Sequence, residues 1–164
     1  MIYRIKITCP SVECGFQQLQ DVYCPVLDAH EGTPNSTTDW LANRFRERIK
    51  CTHCNIWTTE TVEWQDQPIV IVLNTNGLFN VIIEPYVSIP DSSFLLFALC
   101  YHGDNHYTTR LVQGDDVWYH DGVETRDKLH YEGKLSALDL TTCRDRNICN
   151  IVYRLRTWRD QTYA

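Results

Sequence analysis

No apolar run in these 164 residues is long enough to cross a bilayer; the longest, such as "FLLFALC", has the length of a buried strand. The opening "MIYRIKITCP" alternates like a strand and lacks the long apolar core of a secretion signal. Basic residues are also short. Fifteen Lys and Arg against 21 Asp and Glu leave a net charge of −6, which argues against a nucleic-acid partner, whose phosphates require a basic surface. The same balance suits a basic protein partner. There is no internal repeat and no low-complexity segment. Disorder is excluded by a composition of 43% hydrophobic and 22% charged residues, and the length suits one core rather than two.

Cysteine, by contrast, is plentiful. Eight of them would suggest disulfides in a secreted chain. Without a secretion signal, a reducing cytosol or nucleus is the expected compartment, with thiols free or metal-bound. For the same reason Asn35-Ser36-Thr37 is expected to be a polar loop rather than a glycosylation acceptor.

Strand signals dominate the chain. Residues 2–8 alternate, "CPSVECG" turns, and "QQLQDVYCPVLDA" returns as a second extended stretch. After the loop "HEGTPNSTT", Thr38 or Asp39 can cap a helix over "WLANRFRERIK", whose Trp40, Leu41, Phe45 and Ile49 recur at helical spacing. Then "IWTTETVEW", "PIVIVLN", "FNVIIEP", "YVSIP", "FLLFALCYH", "HYTTRLVQ" and "DVWYHDG" read as strands, followed by a less regular segment and a closing strand "NICNIVYRLR". Many antiparallel strands and one clear helix predict a mostly-β, α+β single domain.

Two cysteine pairs, Cys9/Cys14 and Cys51/Cys54, each sit at a strand tip, where a tight turn can aim two thiolates the same way. Four sulfurs from two such knuckles make the closed tetrahedral shell of structural zinc, which would hold a ribbon with little core of its own. The other reading is four unconnected thiols. His53, between two of them, could also reach a metal. Cys24, Cys100, Cys143 and Cys149 lie in or beside apolar stretches and read as small hydrophobes.

His106 follows Gly103-Asp104-Asn105, a turn-forming run, and starts a strand, so it is fixed in place yet open to substrate, as a general base requires. Tyr107 is expected to pack the backbone behind it. Asp121 ends the neighbouring strand and could accept a hydrogen bond from the far ring nitrogen. On spacing alone, an ordinary surface-turn histidine is the preferred reading of His106.

Taken in order, these features resemble the ubiquitin-specific proteases, cysteine enzymes that cut ubiquitin from its conjugates. "FLLFALCYHGDNHYTTRLVQGDDVWYHDGV" is similar to the family's histidine box, "NICNIVYRLR" to its last core strand, and "QPIVIVLNTNG" to a proline-led strand before its ubiquitin-facing sheet. The two knuckles flank the helix as the zinc ribbon of the family's finger subdomain does. The resemblance runs over residues 3–156. It implies a papain-like palm sheet with a zinc-ribbon finger: a finger part with one helix over residues 1–66, and a palm part over 67–158. It also implies that His106 is the catalytic histidine, Asp121 the third triad member, Trp118 and Tyr119 structural aromatics, and Cys9, Cys14, Cys51 and Cys54 zinc ligands. Ubiquitin or a ubiquitin-like protein becomes the expected partner, with neither nucleic acid nor membrane.

The sequence departs from that family in three places. Asn105 stands where Gly is usual, and Asp121 follows the Trp one position early. The family's cysteine box, expected well upstream of the zinc ribbon, has no counterpart in the eight residues before Cys9. The implied chemistry is therefore thiol-dependent removal of ubiquitin, expected to be lost in this chain alone. The alternative is a non-catalytic ubiquitin-binding module.

Overall fold

The computed structural model describes residues 3–23, 26–29, 36–44, 50–64, 68–75, 77, 80–89, 92–157 and 160. In chain order its strands are β1 (Tyr3–Thr8), β2 (Gln17–Val22), β3 (Val26–Asp28), β4 (Thr59–Trp64), β5 (Val70–Asn74) and β6 (Tyr86–Ile89). Then come β7 (Ser92–Gly103), β8 (His106–Gln113), β9 (Asp116–His120), β10 (His130–Lys134), β11 (Thr142–Cys143) and β12 (Arg146–Leu155). The helix α1 covers Thr37–Arg44, and a 3-10 turn covers Leu135–Ala137.

Two sheets result. In the small one β1 is the middle strand, antiparallel to β2 on one side and β4 on the other. Tyr3 and Ile7 of β1 are buried, whereas the side chains of β2 are exposed up to Val22. This sheet has little core of its own. The large sheet runs β10-β9-β8-β7-β12-β5-β3, with β6 beside β7 and β11 beside β12. Its pairings are antiparallel except β3 with β5, which is parallel.

Side-chain alternation explains why these stretches form strands. In β7 the buried set includes Phe94, Leu96, Leu99 and Tyr101, matched by Ile148, Ile151 and Tyr153 of β12 and by Ile71 and Leu73 of β5. Fully burying a side chain of this size contributes about 1.5–3 kcal/mol. Trp40 and Leu41 of α1 join the same core.

Several expectations change here. The helix is capped by Ser36, whose Oγ accepts from the Asp39 N–H at 3.2 Å, and not by Thr38 or Asp39. The Glu84 carboxylate assists by accepting from the Thr38 N–H at 2.7 Å. The Phe45 and Ile49 part of the helix lies outside the described residues, as do Cys24 and His30. The stretch expected to return as one extended segment divides into β2 and β3, and β3 leaves the small sheet to pair with β5. So β3 and α1, assigned by sequence to the finger part, belong to the large sheet and its core. Residues 80–85 form no strand; Ile82 only bridges to Ser36. The segment expected to be irregular contains β10. Among the described residues no helix is long and apolar enough to cross a membrane.

Candidate functional site

The four predicted ligands converge. Strand β1 runs straight into Cys9, and the turn to β2 carries Cys14; its N–H and that of Gly15 both donate to the Ser11 carbonyl at 3.2 Å. The second knuckle closes when the Asn55 N–H donates to the Cys51 carbonyl at 2.8 Å. Each knuckle ends on a residue with positive φ, Gly15 at 59° and Asn55 at 61°, which lets the chain turn back sharply. Since β1 pairs with both β2 and β4, the two turns meet at one end of the small sheet.

The four Sγ atoms lie within 4.8 Å of one another, with Cys9–Cys54 at 3.3 Å and Cys14–Cys51 at 3.7 Å. Four sulfurs around a tetrahedral zinc at its usual bond length stand about 3.8 Å apart, so the donor set fits. The thiols also need a cation. Burial opposes ionisation of Cys51, but the His53 and Cys54 N–H groups and the neighbouring thiols bring it down to about 7. Despite a favourable Ser11 N–H, burial and the other three thiols push Cys9 up to about 12. The first thiolate forms readily and the last does not, unless a dication balances the charge. Cys9, Cys14, Cys51 and Cys54 form a zinc-binding site. His53 is not part of it; its ring packs on Phe16 with centroids 4.7 Å apart.

The second constellation sits at the far end of β8 and β9. Asp104 and Asn105, both with positive φ (52° and 57°), form the two-residue turn between Gly103 and His106. This is the I′ pattern that matches strand twist, and Asn accepts it well. Replacing Asn105 with Val should cost about 1–2 kcal/mol in urea unfolding, while Asn105→Gly should leave stability unchanged or raised. Equal stability of Val and Gly variants would contradict this turn geometry.

The turn delivers a half-buried His106 whose Nε2 lies 2.9 Å from Asp121 Oδ2. Asp121 is only 4% exposed and is held from all sides. Its Oδ1 accepts from the N–H groups of Val123 at 2.8 Å and Glu124 at 3.1 Å. Its Oδ2 also accepts from the Tyr119 hydroxyl at 3.2 Å. Burial would push the carboxyl up, but the Glu124 and Val123 N–H groups, His106 and Tyr119 outweigh it and hold Asp121 well below the usual carboxylate range. The ionised carboxylate fixes the ring with its proton on Nε2 and leaves Nδ1 as the basic nitrogen.

Asp121 is closed into the turn that follows it. Thr125 Oγ1 accepts from the Asp121 N–H at 3.0 Å and donates back to its carbonyl at 2.9 Å, and the Thr125 N–H donates to that carbonyl at 2.8 Å. This local closure, with Thr125, Val123 and Glu124, escaped the sequence reading, although the Asp-x-x-x-Thr spacing is a usable signal for a side chain closing on its own backbone.

Of the two expected aromatics, Tyr119 is buried beside Asp121, whereas Trp118, one residue earlier, lies on the opposite face of β9 and packs edge-on against Tyr131 at 5.2 Å. Tyr107 does not pack the backbone; it is 63% exposed and stacks on His102 at 4.4 Å. Among the described cysteines outside the zinc site, Cys143 is buried and Cys100 and Cys149 are half-buried. Burial raises all three thiols, so none is a ready thiolate.

No family model matches the chain, and no curated protein matches it in sequence. Among solved structures the chain is similar to one described as the SAGA DUB module Ubp8/Sgf11/Sus1/Sgf73 bound to monoubiquitin, with a TM-score of 0.58 and 16% sequence identity. The alignment covers 94% of this chain and 40% of that one, so the chain spans less than half the length of the protein it matches. At this identity the likeness is one of fold.

Proposed function

We propose that this chain is the finger-and-palm part of a cysteine deubiquitinase of the ubiquitin-specific protease type, with ubiquitin as its protein partner. The observation that carries the reading is the His106–Asp121 pair, 2.9 Å apart, on a sheet whose fold is shared with a deubiquitinating module bound to monoubiquitin. The net charge of −6 suits ubiquitin's basic face. In this role the zinc holds the finger in shape and takes no part in bond making.

The chemistry follows from the ring geometry. A cysteine thiol supplied by another segment or another chain gives its proton to His106 Nδ1, and the thiolate attacks the carbonyl carbon of ubiquitin's terminal glycine. As the C–N bond breaks, the imidazolium returns the proton to the leaving amine, and a thioester remains. His106 then takes a proton from water, which attacks the thioester and releases the ubiquitin carboxylate and the thiol. Asp121 stays ionised throughout, stabilising the imidazolium and its orientation.

One observation favours a second reading, ubiquitin binding without catalysis. Four of the described cysteines are zinc ligands and the other three are held as protonated thiols.

An electrophilic ubiquitin C-terminal probe, together with a ubiquitin titration, separates the two. A covalent adduct that disappears in His106→Ala supports the thiol mechanism. Saturable binding without an adduct supports the second reading. Absence of both adduct and binding overturns the assignment to ubiquitin altogether.

A further inference from the structure

The Tyr119 hydroxyl lies 3.2 Å from Asp121 Oδ2 and 3.2 Å from Glu124 Oε2. It has one proton, and only one carboxylate can receive it fully. Arg144 Nη1 donates to the same Glu124 oxygen, and its guanidinium stands 3.9 Å from the Tyr119 ring centroid. A charge-assisted bond from arginine outcompetes one from a phenol. With Glu124 satisfied by Arg144, the phenol proton goes to Asp121.

Arg144 is built in rather than incidental. It occupies the two-residue turn between β11 and β12 with φ of 48°, followed by Asp145 at 64°. Asn, Asp and Gly are the usual residues in such a turn, so the arginine sits where its backbone is least comfortable.

The geometry points to Arg144, Glu124 and Tyr119 as positioning residues for the His106–Asp121 pair, an inference that rests on reading that pair as catalytic. None of the three touches the reacting atoms. Tyr119 supplies the hydrogen bond, Glu124 anchors the arginine, and Arg144 cancels the charge that Glu124 would otherwise place behind Asp121. The phenol itself stays protonated, pushed up to about 12 chiefly by burial, against the pull of Arg144.

The elements packed around His106 carry other charges, and these are held constant in the test. Asp104 and His102 lie on its own hairpin and His120 on β9. Arg126 and Asp127 follow in the turn after Asp121, and Asp145 and Arg146 belong to the β11–β12 hairpin.

The test is an NMR titration of the His106 ring in the full chain, without substrate. Arg144→Gln exposes Asp121 to an uncompensated Glu124, so His106 should hold its proton about half a pH unit higher. Glu124→Gln leaves the arginine charge in place and should move His106 by about the same amount in the opposite direction. The double variant should titrate like the parent, and Arg144→Lys, which keeps the charge, should stay close to the parent as well. Side chains whose charges do not reach the His106–Asp121 pair would leave the titration unmoved in both variants. Shifts of the same sign, or none, overturn the proposal. If Arg144→Gln does not fold, Glu124→Gln decides: a downward shift supports the brace and an unchanged titration overturns it. Opposed shifts in a chain that fails to bind ubiquitin would keep the brace and remove the deubiquitinase reading. Ubiquitin binding without them would remove the brace alone.

Discussion

Removal of zinc by a chelator, or Cys51→Ser, is expected to unfold the outer end of the small sheet while the large sheet stays folded. The reason is the distribution of core. Beyond Tyr3 and Ile7, β1 has few buried partners, and β2 has none until Val22. At the end formed by Cys9, Cys14, Cys51 and Cys54 the sulfurs replace a core. Zinc binding at sites of this kind is worth about 10–16 kcal/mol at neutral pH, far more than a three-stranded sheet with one sparse face gains by itself. At the other end, Tyr3 belongs to the main core, with Ile5 and Val22 packed against it, so that end should survive. The measurement is amide exchange with metal analysis. Zinc should fall from about one per chain to none, and protection should vanish at Cys9, Cys14, Gly15, Cys51 and Asn55, whose N–H groups close the knuckles. Protection in β7 and β12 should persist. Unchanged exchange at the knuckles would sink the idea, as would simultaneous loss in both sheets.

Arg110→Met is expected to destabilise the large sheet by about 3–5 kcal/mol, since it removes one partner from a buried ion pair. Arg110 is 7% exposed and sits on β8 facing the core. Its Nε donates to Glu132 Oε2 at 2.6 Å, and its Nη1 to the carbonyls of Asp139 at 2.6 Å and Thr142 at 2.9 Å. Nη1 also reaches the Tyr101 hydroxyl at 3.2 Å. One guanidinium thus ties β8 to β10, to the loop after the 3-10 turn and to β11. Methionine fills similar volume but leaves the Glu132 carboxylate and two carbonyls without their donor. For a chain of this size the melting temperature should fall by about 10 °C. Adding Glu132→Leu should recover much of the loss, because the unpaired charge goes with it. A loss below about 1 kcal/mol, the range of an exposed pair, would show that water reaches the site.

The contrast between these two cases shows what the sequence discloses. Zinc ligation needs only that two short turns sit at strand ends, and cysteine spacing records that locally. The turn at Asp104-Asn105 is equally local; it fixes where β8 begins and hence where His106 stands. Arg110 has no local signature. Within β8 it reads as a polar residue in an alternating strand, and its partners come from residues 101, 132, 139 and 142. The brace is hidden for the same reason: Arg144 and Glu124 are 20 residues apart in separate turns. The three-residue parallel pairing of β3 with β5 is likewise invisible, because parallel strands need not be near one another in sequence. The helix cap is a different kind of miss. Ser36, Thr37, Thr38 and Asp39 are all capping residues, and composition cannot rank them without the Ile82 and Glu84 contacts that fix the entry of the chain.

β12 lies between β7 and β5, near the middle of the large sheet, yet it comes last in sequence among the described strands. On a ribosome this imposes a waiting time. The β7–β10 meander can assemble as it emerges, but the β3–β5 pair cannot join it until residues 146–155 exist. At roughly 5–20 residues per second, the twelve-residue β7 keeps one side unpaired for several seconds. A long open edge invites pairing with other nascent chains. Yield in a cell should therefore depend on translation speed through β10 and β11, and on chaperones that shield β7, more steeply than the folded protein's stability suggests.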